Sequence, residues 1–533
     1  MATVVVILAA VLPYLPTLGD YFIQDDFGVV WLFAQRSPLH FVDWFTGPWT
    51  EDIWGYVPDE VRPFPALSYS VMAWFGSGSP VANHVLNITL HAANATLVMG
   101  LARWAAGVSL PGAALAGLVF AVMPIQAESV AWVTGRVDSL PAFFYLASFA
   151  TFVLWRSSHR TTTYAWSVAL CFMALFSKQN TITLGPALVL YDLMVARQPV
   201  RVSWSWFRPY APFAALTAGF LLLRFVLFNE VAREGILNSQ RVSEFFSDTS
   251  RHLVRLALGD SYMRTPALQA ALIVAVVLLA VWLLARRGER TAASSAVGPA
   301  VYFGGAWIAL GVAPILMAGY YSPRHMYLAS AGWAVLVGTV FDVLWTRTSP
   351  RLVRQAVAVG GAALVVFYAV QLRVVVRDWN QRGVVSRQAV IDLEREVASL
   401  PEGTLVILGV PGSSWGYSVP YSARPPFTST DLTTRVRLVS DSVQHCCPVH
   451  LWEAYTRQTL REWLARPDRP PVVALNWNAR TAAMSRLTEQ EEPYLRPLMQ
   501  VWLATDNRVT LNGAIHNLLN NHVAPRPPVR RPN

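Results

Sequence analysis

The chain has 533 residues, of which 54% are hydrophobic and only 14% charged. A soluble protein of this size carries about a quarter charged residues, and a mean hydropathy of +0.37 argues against a large water-soluble enzyme, a disordered chain and a fibrous repeat. The net charge is +10, from 42 basic and 32 acidic residues. Much of the excess lies in short loops between apolar runs, which speaks against a nucleic-acid partner and for a polytopic membrane protein.

The first apolar run, 2–18, has no basic leader and no small-residue cleavage site, so it reads as a retained span. A polar, aromatic loop follows within 20–81. Further runs lie near 82–102, 110–125, 139–155, 164–177, 181–195, 210–228, 267–285, 299–318, 326–345 and 355–375, about eleven spans in all. Those at 110–125, 164–177 and 181–195 are short enough to be tilted, broken or re-entrant. With the N-terminus cytoplasmic, twelve Arg from Arg103 to Arg354 fall in the inside loops. The outside set then holds loop 20–81, 126–138, the Lys178 turn, 229–266, 319–325 and the C-terminal region.

Beyond 376 the chain changes character, with 18 Arg and 14 acidic residues in the remainder. TLVILGV at 404–410 reads as a strand ended by Pro411-Gly412-Ser413-Ser414, VVALNW at 472–477 as a second strand, and 384–400 as a helix. The predicted organisation is a transmembrane module over 1–376, a small extracytoplasmic mixed α/β domain over 377–520, and a disordered Pro/Arg-rich end over 521–533. Cys171 lies in an apolar run, and Cys446 and Cys447 are adjacent; no metal-ligand spacing is present.

The candidate chemistry is concentrated in the outside set. GDYFIQDDFGVVW places Asp25 and Asp26 just after the first span. A carboxylate there can accept a proton from an acceptor hydroxyl, or the pair can be a solvated loop feature. Arg62 opens RPFPALSYSVMAWF, whose prolines suit a surface-lying helix. His84, Asn87, His91 and Asn94 are three or four residues apart and share one helical face. That stripe should meet protein or a polar cavity rather than lipid. MPIQAESVAWVTGRVDSL packs Glu128, Arg136 and Asp138 beside Trp132. Glu128 and Arg136 can form an ion pair, or Arg136 can grip a phosphate while Glu128 or Asp138 orients it.

The basic set comprises 41 Arg and one Lys, Lys178, which stands between two apolar runs. It suits a phosphate or sugar hydroxyl, or snorkels to the interface. Arg324 and His325 in YYSPRHMYLAS can grip an anion, or simply decorate the interface. Acids on an early loop and cations on later ones suit a lipid phosphate held at the membrane surface. No Gly-rich phosphate loop, metalloprotease motif or lipase elbow is present.

The order of QDDF, RPFPALSYSVMAWF, PVANHVLNITLHAANATL, MPIQAESVAWVTGRVDSL, FSKQN and RHMYLAS resembles the polytopic GT-C glycosyltransferases, especially the transmembrane O-mannosyltransferase group. That group usually carries tetratricopeptide repeats, which this chain lacks. The likeness covers roughly 1–380 and implies a polytopic α-helical membrane fold of GT-C type. It also implies sugar transfer, mannose being one candidate, from a polyprenyl-phosphate donor, with inversion, on the extracytoplasmic face. The acceptor is a protein, glycan or lipid. By position Asp25 or Asp26 matches the acidic residue of the first loop. Arg136, Lys178, Arg324 and His325 are the donor-phosphate candidates, with Arg62, His84, His91, Glu128 and Asp138 in support. A divalent metal is left open and none is called for. The implied location is a bacterial inner membrane. A transporter or flippase for a lipid-linked sugar would use the same cations but needs alternating access; a membrane scaffold would leave Asp25, Asp26 and Lys178 unexplained.

Overall fold

A computed structural model describes residues 1–50, 53, 57–76, 78–198, 203–229, 253–258, 294–318, 322–347, 350–409, 411, 419–440, 451–468 and 471–486. The run at 267–285, the Cys446–Cys447 pair and the Pro/Arg-rich end lie outside the described residues. The described part is mostly helical, with a small sheet near its C-terminal end.

The first run forms α1 (Ala2–Val11) and tightens into a 3₁₀ helix, Leu12–Gly19, where Pro13 and Pro16 remove backbone donors. The first loop contains α2 (Asp25–Ala34), a 3₁₀ stretch (Pro38–Phe45) and α3 (Pro63–Phe75). Then come α4 (Pro80–Trp104), α5 (Leu110–Val122), α6 (Ala127–Ala131), α7 (Arg136–Ser158), α8 (Thr161–Leu175) and α9 (Leu184–Met194). α10 (Trp204–Phe207) and α11 (Ala211–Phe228) precede α12 (Ser294–Val312), α13 (Tyr327–Arg347) and α14 (Arg351–Ala398). Met123 is extended ahead of Pro124, and the chain bends by 49° between Leu110–Val122 and Pro124–Ala131. A residue before proline is driven out of the helical region, so this break is written in the sequence.

Six described helices are long and apolar enough to cross a membrane: Ala2–Gly19, Pro80–Trp104, Arg136–Ser158, Ala211–Phe228, Pro323–Thr346 and Arg351–Ala398. The bent pair brings the number to seven, and Thr161–Leu175 and Phe303–Ile315 are shorter apolar helices. Among the described residues the expected eleven is therefore not reached. The chain is a multi-pass helical membrane protein.

Helices lie against each other where side chains are small. A Cβ on Gly338 of α13 would sit 2.6 Å from the Gly112 carbonyl oxygen of α5, and one on Gly311 would sit 2.7 Å from the Ala329 Cα. Small residues at crossings let backbones approach closely in a lipid environment.

α14 has 48 residues, about 70 Å at 1.5 Å per residue. Roughly twenty residues cross a bilayer core, so the helix runs on past it. The predicted boundary at 376 falls inside this helix, and its last turns join the C-terminal unit. There β1 (Leu405–Gly409) lies between β2 (Arg437–Ser440) and β3 (Val472–Asn478), parallel to both. β4 (Ala483–Arg486) is antiparallel to β3. α15 (Val419–Ser422) and α16 (Leu451–Ala465) stand in the crossovers. All five residues of β1 are buried, as a central parallel strand requires.

Two cores follow. One fills the helical bundle around Val119, Phe120, Phe149 and Leu188. The other joins the first loop (Phe22, Phe27, Phe33, Trp49) to the α/β unit (Val390, Leu408, Phe427, Leu475). The first loop is thus sandwiched between the bundle and the C-terminal unit.

Candidate functional site

The polar motifs meet because of helix direction. Helices α4, α7, α9 and α13 begin, and α5, α8 and α12 end, on the side of the bundle that carries the first loop. Each motif in the outside set therefore lands at one end. The opposite end holds a different cluster, where Arg156 pairs with Asp192 and the Tyr210 hydroxyl also donates to Asp192.

Gln24 takes a positive φ of 51°, and the chain reverses there to start α2 with Asp25 and Asp26. Carboxylates in a first turn complement the helix dipole. The Asp26 amide donates to the Ile23 carbonyl at 3.0 Å, while Ile23 N–H donates to Asp26 Oδ2 at 3.0 Å. Asp26 Oδ1 accepts from the Thr134 amide at 2.8 Å and the Thr134 hydroxyl at 2.6 Å. Asp26 is 1% exposed. Burial raises its carboxyl to about 7, against the pull of those hydrogen bonds, and Asp25 adds like-charge repulsion. Asp25 beside it is only half-buried.

Thr134 comes from a turn that only glycine closes. A Cβ on Gly135 would stand 2.2 Å from the Glu128 carbonyl oxygen. In the same turn Trp132 Nε1 donates to the Ile23 carbonyl at 3.4 Å. The Trp132 ring also carries the Arg324 guanidinium, 4.9 Å from the ring centroid. Trp132 thus connects the acidic turn to the cations.

The cations gather round Asp138 in the first turn of α7. Lys178 pairs with Asp138 Oδ1, and Arg324 Nε lies 3.4 Å from Asp138 Oδ2. Glu128 accepts from the Ser322 hydroxyl and from Arg324 Nη1 at 2.5 Å. Arg62 pairs with Glu60 at 2.8 Å and reaches Gln179 at 3.5 Å. Burial pulls the Lys178 ammonium below its usual range, and Asp138 pulls it back up. Lys178, Gln179, Asn180 and His325 line a cleft of roughly 430 Å³, its open mouth included, with Gly311, Pro314 and Ile315 on the apolar side. Lys178, Arg62, Arg324, His325, Asp138 and Glu128 are therefore brought together.

Three expected members lie elsewhere. Arg136 is fully buried. Its Nε donates to Asn87 Oδ1 at 2.7 Å, Nη1 to Ser68 at 3.3 Å, and Nη2 to Asn83 Oδ1 at 2.8 Å. Its guanidinium also lies 4.7 Å from the Tyr69 ring centroid. The Glu128–Arg136 ion pair that the spacing allowed does not form, because Glu128 is taken by Arg324. His91 bonds to the Tyr327 hydroxyl at 2.9 Å and the Ala121 carbonyl at 3.0 Å, and so ties α4 to α5 and α13. His84 is buried on α4 beside the Asp20 backbone. Sequence reasoning did not single out Thr134, Asn83, Tyr327, Glu60 or Gln179. Of these only Thr134 carries a local signal, the Gly135 that follows it. Among the described residues no group of three or more His, Cys, Asp or Glu is placed to hold a metal ion.

Fold and site define a class: a multi-pass helical membrane protein with a charged cleft at one end of its bundle, next to a small α/β unit. Within that class, comparison with curated sequences finds the transmembrane O-mannosyltransferases, the group the motifs resemble. The chain is 31% identical over 203 residues to protein O-mannosyl-transferase TMTC4 of Homo sapiens, 33% of this chain and 27% of that protein. It is 29% identical over 197 residues to protein O-mannosyl-transferase tmtc2 of Xenopus laevis, 34% of this chain and 23% of the relative. The alignments thus span about a quarter of these relatives' length. No family model matches the chain. Among solved structures, ArnT from Cupriavidus metallidurans bound to undecaprenyl phosphate aligns with 90% of this chain and 93% of its own, at 15% identity and TM-score 0.49. The oligosaccharyltransferase AglB from Archaeoglobus fulgidus aligns with 89% of this chain and 69% of its own, at 12% identity and TM-score 0.46.

Proposed function

We propose that the chain is a membrane glycosyltransferase that moves a hexosyl group, mannose first among candidates, from a polyprenyl-phosphate donor to a protein, glycan or lipid acceptor on the extracytoplasmic face. The observation that carries the reading is the cluster of Lys178, Arg62 and Arg324 beside the cleft that Lys178 and His325 line: Arg324 shares Asp138 with Lys178, Arg62 reaches Gln179, and Trp132 links the cluster to the Asp25–Asp26 turn. The similarity to O-mannosyltransferases supports it.

In this reading the acceptor oxygen attacks the anomeric carbon, and the bond from that carbon to the phosphate oxygen breaks. The lipid phosphate leaves with the electron pair, and a single in-line displacement inverts the centre. Asp25 takes the hydroxyl proton, because it is the half-buried member of the pair while Asp26 is 1% exposed and holds Ile23 and Thr134. Lys178, Arg324 and Arg62 exchange carboxylate partners for phosphate oxygens and stabilise the charge on the leaving group. His325 stands at the cleft wall, while Arg136, His84 and His91 belong to the scaffold. The membrane module over 1–376 carries the site and the unit over 377–520 supports it. A bacterial inner membrane is the proposed location.

The test uses purified protein and labelled polyprenyl-phosphate mannose with candidate acceptors. Asp25→Asn should lower transfer about a hundredfold or more while donor binding persists. Donor-dependent transfer that survives both Asp25→Asn and Asp26→Asn would remove the proton-accepting role.

A further inference from the structure

α2 has 10 residues, about 15 Å of helix, and a helix that short is marginal in water without tertiary packing. It carries the carboxylate pair, so whatever fixes α2 fixes Asp25. Its two faces have different partners. Asp26 and Phe33, seven residues apart, face the membrane module: Asp26 bonds Thr134, and Phe33 stacks on Tyr69 at 6.0 Å and Trp49 at 6.1 Å. Phe27, Gly28 and Trp31 face the other way.

That second face is covered by the C-terminal unit. The Phe427 ring meets Phe27 edge-on at 4.8 Å and Phe22 at 5.4 Å. Trp31 packs on Tyr421 at 5.1 Å, with the Arg424 guanidinium 5.0 Å from the Trp31 ring centroid. A Cβ on Gly28 would lie 3.5 Å from the Tyr421 ring and 3.3 Å from Ile53, so the contact is close. The chain leading into α2 is held by α14: Asn380 donates to Asp20 Oδ1 at 2.5 Å and Ser386 to the Phe22 carbonyl at 2.5 Å. Phe22 and Phe27 are 2% and 0% exposed. None of these C-terminal residues lines the Lys178 cleft.

We propose that the C-terminal α/β unit is a clamp that positions α2, and with it the Asp25 carboxylate, with Phe427 and Tyr421 as positioning residues. The clamp acts on the acceptor side and leaves the phosphate cleft untouched. It rests on the glycosyltransferase reading only for the consequence on turnover.

The experiment compares the full-length chain with Phe427→Ala/Tyr421→Ala and with the conservative Phe427→Leu/Tyr421→Phe. Hydrogen exchange of the amides at 25–34 is read first, since it needs no activity. The alanine pair should exchange at least tenfold faster there, with exchange at 136–158 unchanged. It should lower kcat tenfold while polyprenyl-phosphate mannose binds within twofold of the parent. The conservative pair should restore both. Unchanged protection of 25–34 overturns the clamp. Donor affinity that falls in step with kcat also overturns it, since the unit would then be general support. A parent chain that transfers no sugar sinks the functional reading instead, and the exchange measurement still decides the clamp.

Discussion

Lys178 is the one lysine in the chain, and it lies where three guanidinium or ammonium groups share Asp138, Glu128 and Glu60. Removing one partner of a buried pair leaves an uncompensated charge, at a cost of roughly 3–5 kcal/mol. Lys178→Met alone therefore mixes a folding defect with a binding defect. Lys178→Met/Asp138→Asn separates them: the double variant should regain a parental melting temperature while donor affinity stays at least tenfold down. Recovery of donor affinity in the double variant would remove Lys178 from the phosphate site. Asp26 makes a second prediction. Its folded pKa, about 7, lies well above the ordinary aspartate range, so the folded state binds the proton more tightly than the unfolded one. Its stabilising contribution is full below about pH 4 and is lost as pH rises through about 7, a change of order a few kcal/mol. Melting scans from pH 5 to 8 should show that decline, and Asp26→Asn should flatten it.

At the scale of elements, α5, α12 and α13 cross through glycines. The Gly338 Cβ position is 2.6 Å from a backbone oxygen and 2.8 Å from the Ala116 Cβ, and neither can swing aside like a long side chain. Gly338→Val should cost about 1–3 kcal/mol through overpacking and lower the melting temperature in detergent. Gly360→Ala, at a position where nothing lies within 4 Å, should not. The same elements show what sequence can and cannot disclose. The bend at Met123–Pro124 and the strand at Leu405–Gly409 are local events, decided by a proline and by a β-branched run between turn residues, so both were readable. The 48-residue α14 was readable in its parts, the run at 355–375 and the helix at 384–400, but not in its continuity, because no proline or capping residue marks the place where it leaves the lipid. The charge cluster was half legible. Lys178, Arg324, Asp138 and Glu128 stood out as charges beside apolar runs, but whether Glu128 takes Arg136 or Arg324 depends on how α6 and α13 pack. Arg136 looked like a phosphate ligand because Asn83 and Asn87, its buried acceptors, lie about fifty residues earlier.

The whole molecule has one polar end that gathers the cleft, the first loop and the α/β unit. Its other end carries Arg103 of α4, Arg156 of α7, Arg160, Arg197 and Arg208, with Arg351 opening α14. Short loops rich in Arg stay on the cytoplasmic side, so the cleft and the α/β unit should face away from the cytoplasm. This can be checked without any assay of sugar transfer. Cys171 is buried, and Cys446 and Cys447 can be replaced by Ser to give a silent background. Thr430→Cys on the α/β unit should then react with a membrane-impermeant maleimide added to intact cells or spheroplasts. Ser158→Cys, at the exposed end of α7, should react only after permeabilisation. The reverse pattern would place the cleft on the cytoplasmic face, where soluble nucleotide sugars are at hand. A lipid-linked donor would then no longer be the natural partner for Lys178, Arg324 and Arg62.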